Sequence, residues 1–317
     1  MSGLADFTTD FISSADGARI GYRKIGSGPG VMLVHGGLQS SLNFTSLARA
    51  LSTDFTVYIP DRRGRGLSSP YGDNDGLLSE AGDMLTLVRQ ANIHNIFGLS
   101  SGAIISLQAA LSEPALQKVA LYEPPIPIGE TSFEKLDKDY EDAMREGNLG
   151  KAMLTILKWT GDSSVLRLLP AFITAPVMNV LIKAQKKSKN DDEVPLRDLI
   201  PTFHYDRIVA KESGPLMGKV KNMQAAVLLL GGSRSQSYLT RTLDRLYSSI
   251  PGVRRVQFEK EGHLAADNSG RPQEVAKELL NFYSSSSNSS RRNRGDLANF
   301  VLLSLTVPVL MFLSSSG

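Results

Sequence analysis

The distribution of apolar and polar residues divides the chain into two rhythms and a tail. Up to Tyr122, short apolar runs alternate with segments of helical period. Phe7 to Ser13 and Arg19 to Ile25 read as two strands joined around Asp16-Gly17, an antiparallel hairpin. Val31 to Val34 is a continuous apolar run, as expected of an interior parallel strand covered on both faces. Helix Phe44 to Leu51 and strand Phe55 to Ile59 follow. Leu78, Ala81, Leu85 and Val88 give residues 77–90 a helical period. The chain then enters the apolar strand that ends in Gly98-Leu99-Ser100-Ser101-Gly102, with a helix beginning at once, and a further strand at Lys118 to Tyr122.

From Ser132 to about Met223 the period is mainly helical with no convincing strand, and the polar stretch Lys186 to Glu193 reads as an exposed connection. Expected helices are Phe133 to Glu146, Gly150 to Thr160, Val165 to Phe172, Val177 to Lys187 and Leu196 to Ala210, the last interrupted near Pro201. Alternation then resumes with strand Ala225 to Leu230, helix Tyr238 to Ser249, strand Arg254 to Phe258 and helix Pro272 to Phe282. Eight strands interleaved with helices predict an α/β fold, a mostly parallel eight-stranded sheet with helices on both faces. The core is assigned to residues 1–127 and 224–283, and residues 128–223 to a helical cap over the carboxyl edge of the sheet, with Trp159 and Phe203 on its inner side.

The end of the chain differs in kind. Residues 284–296 form a Ser/Arg-rich linker, and the 17 residues from Leu297 to Leu313 carry no charge. That length approaches the roughly 17–25 residues of a membrane-spanning helix. Arg291, Arg292 and Arg294 on its upstream flank would keep the folded part on the cytoplasmic side, a tail anchor on an intracellular membrane. Asn299, Pro308 and the shortness of the run favour the alternative, an unstructured apolar end. A glycolipid-anchor signal has a similar outline but needs a secretory start, and Met1 to Phe7 has no basic region followed by an apolar run.

Composition narrows the chemistry. With 317 residues and 41% hydrophobic content the chain can bury one large core and carry an insertion. Its net charge of +3, with part of the excess in the tail, argues against nucleic acid as a partner. There is no cysteine, which removes disulfides, thiolate nucleophiles and Cys-ligated metals and suits a reducing compartment. His35, His94, His204 and His263 lie far apart with no ligand spacing, so no metal and no cofactor is implied.

The candidate chemistry is nucleophilic. A Gly-x-Ser-x-Gly spacing between strand and helix is what a sharp turn demands when it lifts a serine hydroxyl clear of the sheet with no bulky Cβ beside it. The first N–H groups of the following helix are unpaired and can face a developing oxyanion. Ser100 is thus the expected nucleophile. A serine hydroxyl needs a neighbouring base, and His263, just past the last strand, is the best placed.

His35-Gly36-Gly37 after one strand, Asp61 to Ser68 after the next, Gly98 to Gly102 at the turn and the late Gly262-His263 together resemble the α/β-hydrolase superfamily, in its AB hydrolase-1 branch. The resemblance covers about Phe7 to Tyr283. It implies Ser100 as nucleophile, and N–H groups of Gly37 and Ser101 as the oxyanion pair, with Leu38 in place of Gly37 if the loop is shifted by one. His35 is expected to shape the oxyanion loop, and Asp61 and Arg62 to hold the loop beneath the site.

The chain departs from that family after strand Val227 to Leu230. There the family has an acid, and here Gly231 to Ser237 carries none before Asp244. Glu123, at the end of the strand after the nucleophile strand, is the preferred replacement, and Asp267, four residues past His263, the alternative. The expected activity is a serine hydrolase cleaving a small or medium apolar carboxylic ester or lactone. The same scaffold also supports C–C hydrolysis, acyl transfer, lyase and cofactor-free haloperoxidase-like chemistry. A non-catalytic receptor or scaffold is the remaining alternative.

Overall fold

The computed structural model describes residues 4–72, 75–129, 134–160, 171–185 and 194–285. Residues 1–283 form one compact unit, and residues 284–317 a second of which only Ser284 and Ser285 are described. The linker and the run 297–313 lie outside the described residues, as does most of the helix expected from Val165. Among the described residues no helix is long and apolar enough to cross a membrane.

Eight strands form one sheet: β1 Thr8–Ser13, β2 Arg19–Ile25, β3 Gly30–Val34, β4 Thr56–Pro60, β5 Asn95–Leu99, β6 Lys118–Tyr122, β7 Ala226–Gly232 and β8 Arg254–Phe258. Their spatial order is β1-β2-β4-β3-β5-β6-β7-β8. β1 and β2 pair antiparallel from Thr8↔Lys24 to Ser13↔Arg19, and β2 pairs antiparallel with β4. Every other pairing is parallel. The hairpin turn uses Gly17 at φ +88°, with Asp16 Oδ1 accepting the Ala18 N–H at 3.0 Å.

Alternate residues of the interior strands feed two different cores, as the two-residue period of a strand requires. Met32, Val34, Ile96, Val119, Leu121, Val227 and Leu229 face one side, against helices α2 (Leu77–Gln90), α3 (Ser101–Ser112) and α10 (Ser237–Ser249). Val31, Leu33, Phe97, Leu99, Ala120, Tyr122, Leu228 and Leu230 face the other, against α1 (Thr45–Leu51) and α11 (Pro272–Ser284). Each such Val, Leu or Ile contributes about 1.5–3 kcal/mol by leaving water. Continuous apolar strands are the result of covering both faces.

Between β6 and β7 lie α4 (Glu134–Arg145), α5 (Leu149–Thr160), α6 (Ala171–Ala184), α7 (Leu196–Leu199), α8 (Phe203–Glu212) and α9 (Leu216–Lys219). The break near Pro201 is a 3-10 turn at Ile200–Thr202. One boundary differs from expectation: α6 begins at Ala171 and runs through Pro176, where the sequence suggested separate helices. Packing holds it there. A Cβ on Gly150 of α5 would lie 2.1 Å from Ala175 O and 2.5 Å from Asn179 N, so a glycine lets α5 press against α6 around the proline.

The sheet order places the site. β3 has β4 on one side and β5 on the other, so the connections leaving these strands diverge at their carboxyl ends. Parallel sheets open a crevice at such a point. The register Val34↔Gly98 and Leu99↔Tyr122 brings His35, Ser100 and Glu123 to the same edge.

Candidate active site

Ser100 follows β5 directly and has φ +56°, ψ −125°. A non-glycine residue pays about 1–3 kcal/mol for a backbone of this kind, and the surroundings must force it. They do so through two glycines. A Cβ on Gly98 would lie 2.4 Å from Gly102 O and 2.5 Å from Ser106 Oγ. A Cβ on Gly102 would lie 2.3 Å from Val34 O. Helix α3 therefore starts tight against both β5 and β3, with Ser101 at its first turn.

Glu123 stands just past β6, also in left-handed backbone at φ +45°. Its N–H donates to Leu230 O at 3.1 Å, and its Oε1 accepts the Gly232 N–H at 2.7 Å. Its Oε2 lies 2.7 Å from His263 Nδ1, with both side chains buried. Gly231 and Gly232 make the room. A Cβ on Gly231 would lie 3.0 Å from Glu123 Oε1, and one on Gly232 would lie 2.4 Å from Glu261 O. The loop carrying His263 is fixed from below, where Tyr122 donates its hydroxyl to Gly262 O at 2.8 Å and stacks on Phe258.

Asp267 is not brought to His263 in this arrangement. Its Oδ2 accepts from Gln39 Nε2 and Asn43 Nδ2, each at 2.8 Å, and its Oδ1 accepts the Ser269 N–H and hydroxyl. Gln39 Oε1 in turn accepts the Gly36 N–H at 2.8 Å. Asp267 thus ties the histidine loop to the glycine loop after β3. Because the Gly36 N–H is spent there, the donors left at the bend of that loop are those of Gly37 and Leu38, the latter at φ +55°. Asp244 is farther away in role as well, ion-paired on the surface with Arg255.

His35 is wholly buried. Its Nδ1 donates to Gly36 O at 2.9 Å and its Nε2 accepts the Arg62 N–H at 3.1 Å, which fixes a neutral ring. Burial, then Arg65 and Arg62, hold its pKa well below the ordinary value. With both nitrogens occupied it has none to offer a substrate.

Asp61 accepts from Ser41 N, Leu67 N and Arg23 Nη1, closing the loop after β4. Arg62 pairs with Glu80 of α2 through two bonds of 2.5 and 2.7 Å. Its Nη1 reaches Ser101 Oγ at 2.9 Å and Asp206 Oδ1 at 2.7 Å. Asp206 belongs to α8 and is absent from the residues singled out by sequence. One signal pointed to it: the stripe Phe203, Asp206, Val209, Ala210 puts an acid on the buried face of the helix.

Ser100, Ser101, Gly37, Leu38 and His263 line a single cavity of about 240 Å³. Its apolar lining comes from Leu38, Leu99 and Leu264 and from Met153, Ile156 and Leu157 of α5, Leu196 of α7 and Phe203 of α8. Gln39, Asn43, Asp206 and Asp267 supply polar groups. Phe203 lines this space, and the Trp159 side chain lies outside the described residues.

A family model described as the alpha/beta hydrolase family matches residues 31–278. The chain belongs to that family. It is 35% identical over 114 residues to an uncharacterised hydrolase of Bacillus subtilis, covering 35% of this chain and 42% of the relative. It is 31% identical over 143 residues to N-formylmaleamate deformylase of Pseudomonas putida, covering 43% and 53%. The chain thus aligns with about half the length of these curated relatives. Among solved structures, an alpha/beta hydrolase from Sphaerobacter thermophilus superimposes with a TM-score of 0.69 at 24% identity, covering 87% of this chain and all of that one. The enol-lactonase from Burkholderia xenovorans gives 0.64 at 18% identity, covering 87% and 100%. These two likenesses are of fold.

Proposed function

We propose that the chain is a serine hydrolase that cleaves a small or medium, uncharged carboxylic ester or lactone through an acyl-serine intermediate. The observation that carries this reading is the buried Glu123–His263 pair at 2.7 Å, opening on the cavity that holds Ser100 on its strained turn. With the proton on Nδ1 shared towards Glu123, Nε2 keeps its lone pair and can take the Ser100 proton as Oγ attacks the carbonyl. The oxyanion would sit against the N–H groups of Ser101 and of Gly37 or Leu38. His263 then protonates the leaving alkoxide; water attacks the acyl-serine as His263 accepts its proton, and His263 returns that proton to Ser100 Oγ as the acid departs.

The apolar wall from α5, α7 and α8 suits a hydrocarbon acyl or alcohol part, which makes residues 128–223 a substrate-covering cap in this reading. Among the described residues no lysine or arginine lines the cavity, which disfavours an anionic substrate. The deformylase among the relatives cleaves a different acyl bond, and acyl-serine chemistry serves esters and amides alike; the other reactions of the scaffold are separated from it by whether an acyl-serine can be trapped. A fluorophosphonate probe should label the protein once per chain, and Ser100→Ala should abolish labelling and ester turnover while leaving the fold intact. Labelling of Ser100→Ala at the same stoichiometry would move the nucleophile elsewhere. The uncharged run 297–313 is proposed to fasten this enzyme to a membrane from the cytoplasmic side.

A further inference from the structure

Asp206 is a carboxylate from the helical insertion, buried to 2% exposure, on the wall of the cavity that holds Ser100. Its Oδ1 accepts the Ser101 hydroxyl at 2.6 Å and Arg62 Nη1 at 2.7 Å. Its Oδ2 accepts Arg65 Nη2 at 2.5 Å, and Arg65 also bonds Thr202 Oγ1, in the 3-10 turn that leads into α8, at 3.0 Å. Asp206 also lies beside the glycine loop: a Cβ on Gly37 would lie 3.1 Å from its Oδ2. One side chain of α8 therefore touches both segments that offer oxyanion N–H groups.

A bare carboxylate in this position would oppose the negative charge of the reaction. The cluster answers that charge for charge, with Arg62 and Arg65 against Asp206 and Glu80. Burial raises the Asp206 pKa, but Arg65 and Arg62 outweigh it and hold the group ionised. What remains for Asp206 is geometry. The Ser101 hydroxyl is clamped between Arg62 Nη1 and Asp206 Oδ1, which fixes the residue whose N–H points at the oxyanion.

We propose that Asp206 is a positioning residue, which makes the oxyanion donor at Ser101 depend on the docking of α8. Productive geometry at the turn exists only while the cap sits on the core. The proposal rests on Ser100 being the nucleophile.

Two variants test it, with turnover of an activated aryl ester and the rate of fluorophosphonate labelling as readouts. Asp206→Asn keeps the shape and removes a negative charge, which leaves the cluster with a net positive charge beside the oxyanion. Electrostatics alone would then speed the reaction. Positioning predicts the reverse, a kcat about 10-fold lower or more with KM changed less than about 3-fold, and a matching fall in labelling rate. Ser101→Ala keeps the N–H and removes only the hydroxyl that Asp206 holds. It should lower kcat by a similar factor, and the double variant should be no slower than the worse single one. Should Asp206→Asn fail to fold, Ser101→Ala alone still decides.

Wild-type kcat and labelling rate in either folded variant, or losses that multiply in the double variant, would overturn the proposal. So would a variant that loses thermal stability while its titrated active sites turn over at the wild-type rate. An inert, unlabelled wild type would overturn the serine-hydrolase reading itself, and this proposal with it.

Discussion

The Glu123–His263 pair allows the effect of one substitution to be worked out atom by atom. Glu123→Gln replaces two acceptor oxygens by one oxygen and one NH₂ group. The oxygen is claimed by the Gly232 N–H, which donates to Oε1 at 2.7 Å; turning the amide would set NH₂ against that N–H. With the oxygen held there, the NH₂ faces His263 Nδ1, which must then accept. The ring is driven into the tautomer with its proton on Nε2, which cannot take a proton from Ser100. In a serine-protease triad, the same acid-to-amide change costs about 10⁴ in kcat through the wrong tautomer. Here flipping the amide costs about one buried hydrogen bond, so the productive tautomer survives as a minor state.

We therefore expect kcat for an activated aryl ester to fall by about 10²-fold or more, equivalent to about 2.7 kcal/mol at the transition state, with a native circular dichroism spectrum. Asp267→Asn is the comparator. It loosens Gln39 and Asn43 without touching His263, and should cost less than about 10-fold. Stopped-flow or plate assays over a range of ester concentrations separate kcat from KM. Turnover of Glu123→Gln within about 3-fold of wild type would refute the reasoning, and a collapse in Asp267→Asn alone would move the acid to 267.

His35 makes stability pH-dependent in a definite direction. Its folded pKa lies well below 6.5, so on acidification through about 6.5 the unfolded chain gains a proton that the native state refuses. Stability should fall by about 1.4 kcal/mol per pH unit below that point and be independent of this group above it. Denaturant titrations at pH 7.5 and 5.5 should show this slope in the wild type and lose it in His35→Gln; equal slopes would reject it. For the tail, the full chain expressed in cells should pellet with membranes and resist carbonate extraction, while a form ending at Tyr283 is soluble and equally active. Equal solubility of the two forms would reject the anchor.

Much of the fold is legible because its rules are local. A strand covered on both faces must be apolar throughout, and β3, β6 and β7 announce themselves in that way. The turn at Ser100 is legible for a similar reason, since the contacts that exclude a Cβ at 98 and 102 act within a few residues or on the adjacent strand. Glu123 could be chosen from its place after a strand and before Pro124-Pro125. The role of Gly231-Gly232 could not, since it depends on β7 lying beside β6 and its loop lying beside β8. Asp206 is not legible in the sequence because its hydrogen-bond partners lie far away along the chain: Arg62, Arg65 and Ser101 are all more than 100 residues upstream. The continuity of α6 is not legible either, because Pro176 is a local break signal that packing against α5 overrules.

The loop after β4 concentrates charge inside the protein. Asp61-Arg62-Arg63-Gly64-Arg65 sets three arginines within four positions, and all three are buried, at 0%, 3% and 1% exposure. Each is answered by acids: Arg62 by Glu80 and Asp206, Arg63 by Asp83 and Asp75, Arg65 by Asp206. Ion pairs of this kind return little net stability, because taking the charges out of water costs about as much as their attraction yields. Their value here is directional. A guanidinium offers up to five N–H donors in one plane. Through that fork Arg62 fixes α2, the Ser101 hydroxyl and α8 relative to one another, while its backbone N–H holds the His35 ring. An apolar loop of the same volume would pack as well but would hold none of these polar groups at a defined angle. The serine turn needs angles held, and this is what the buried arginines supply.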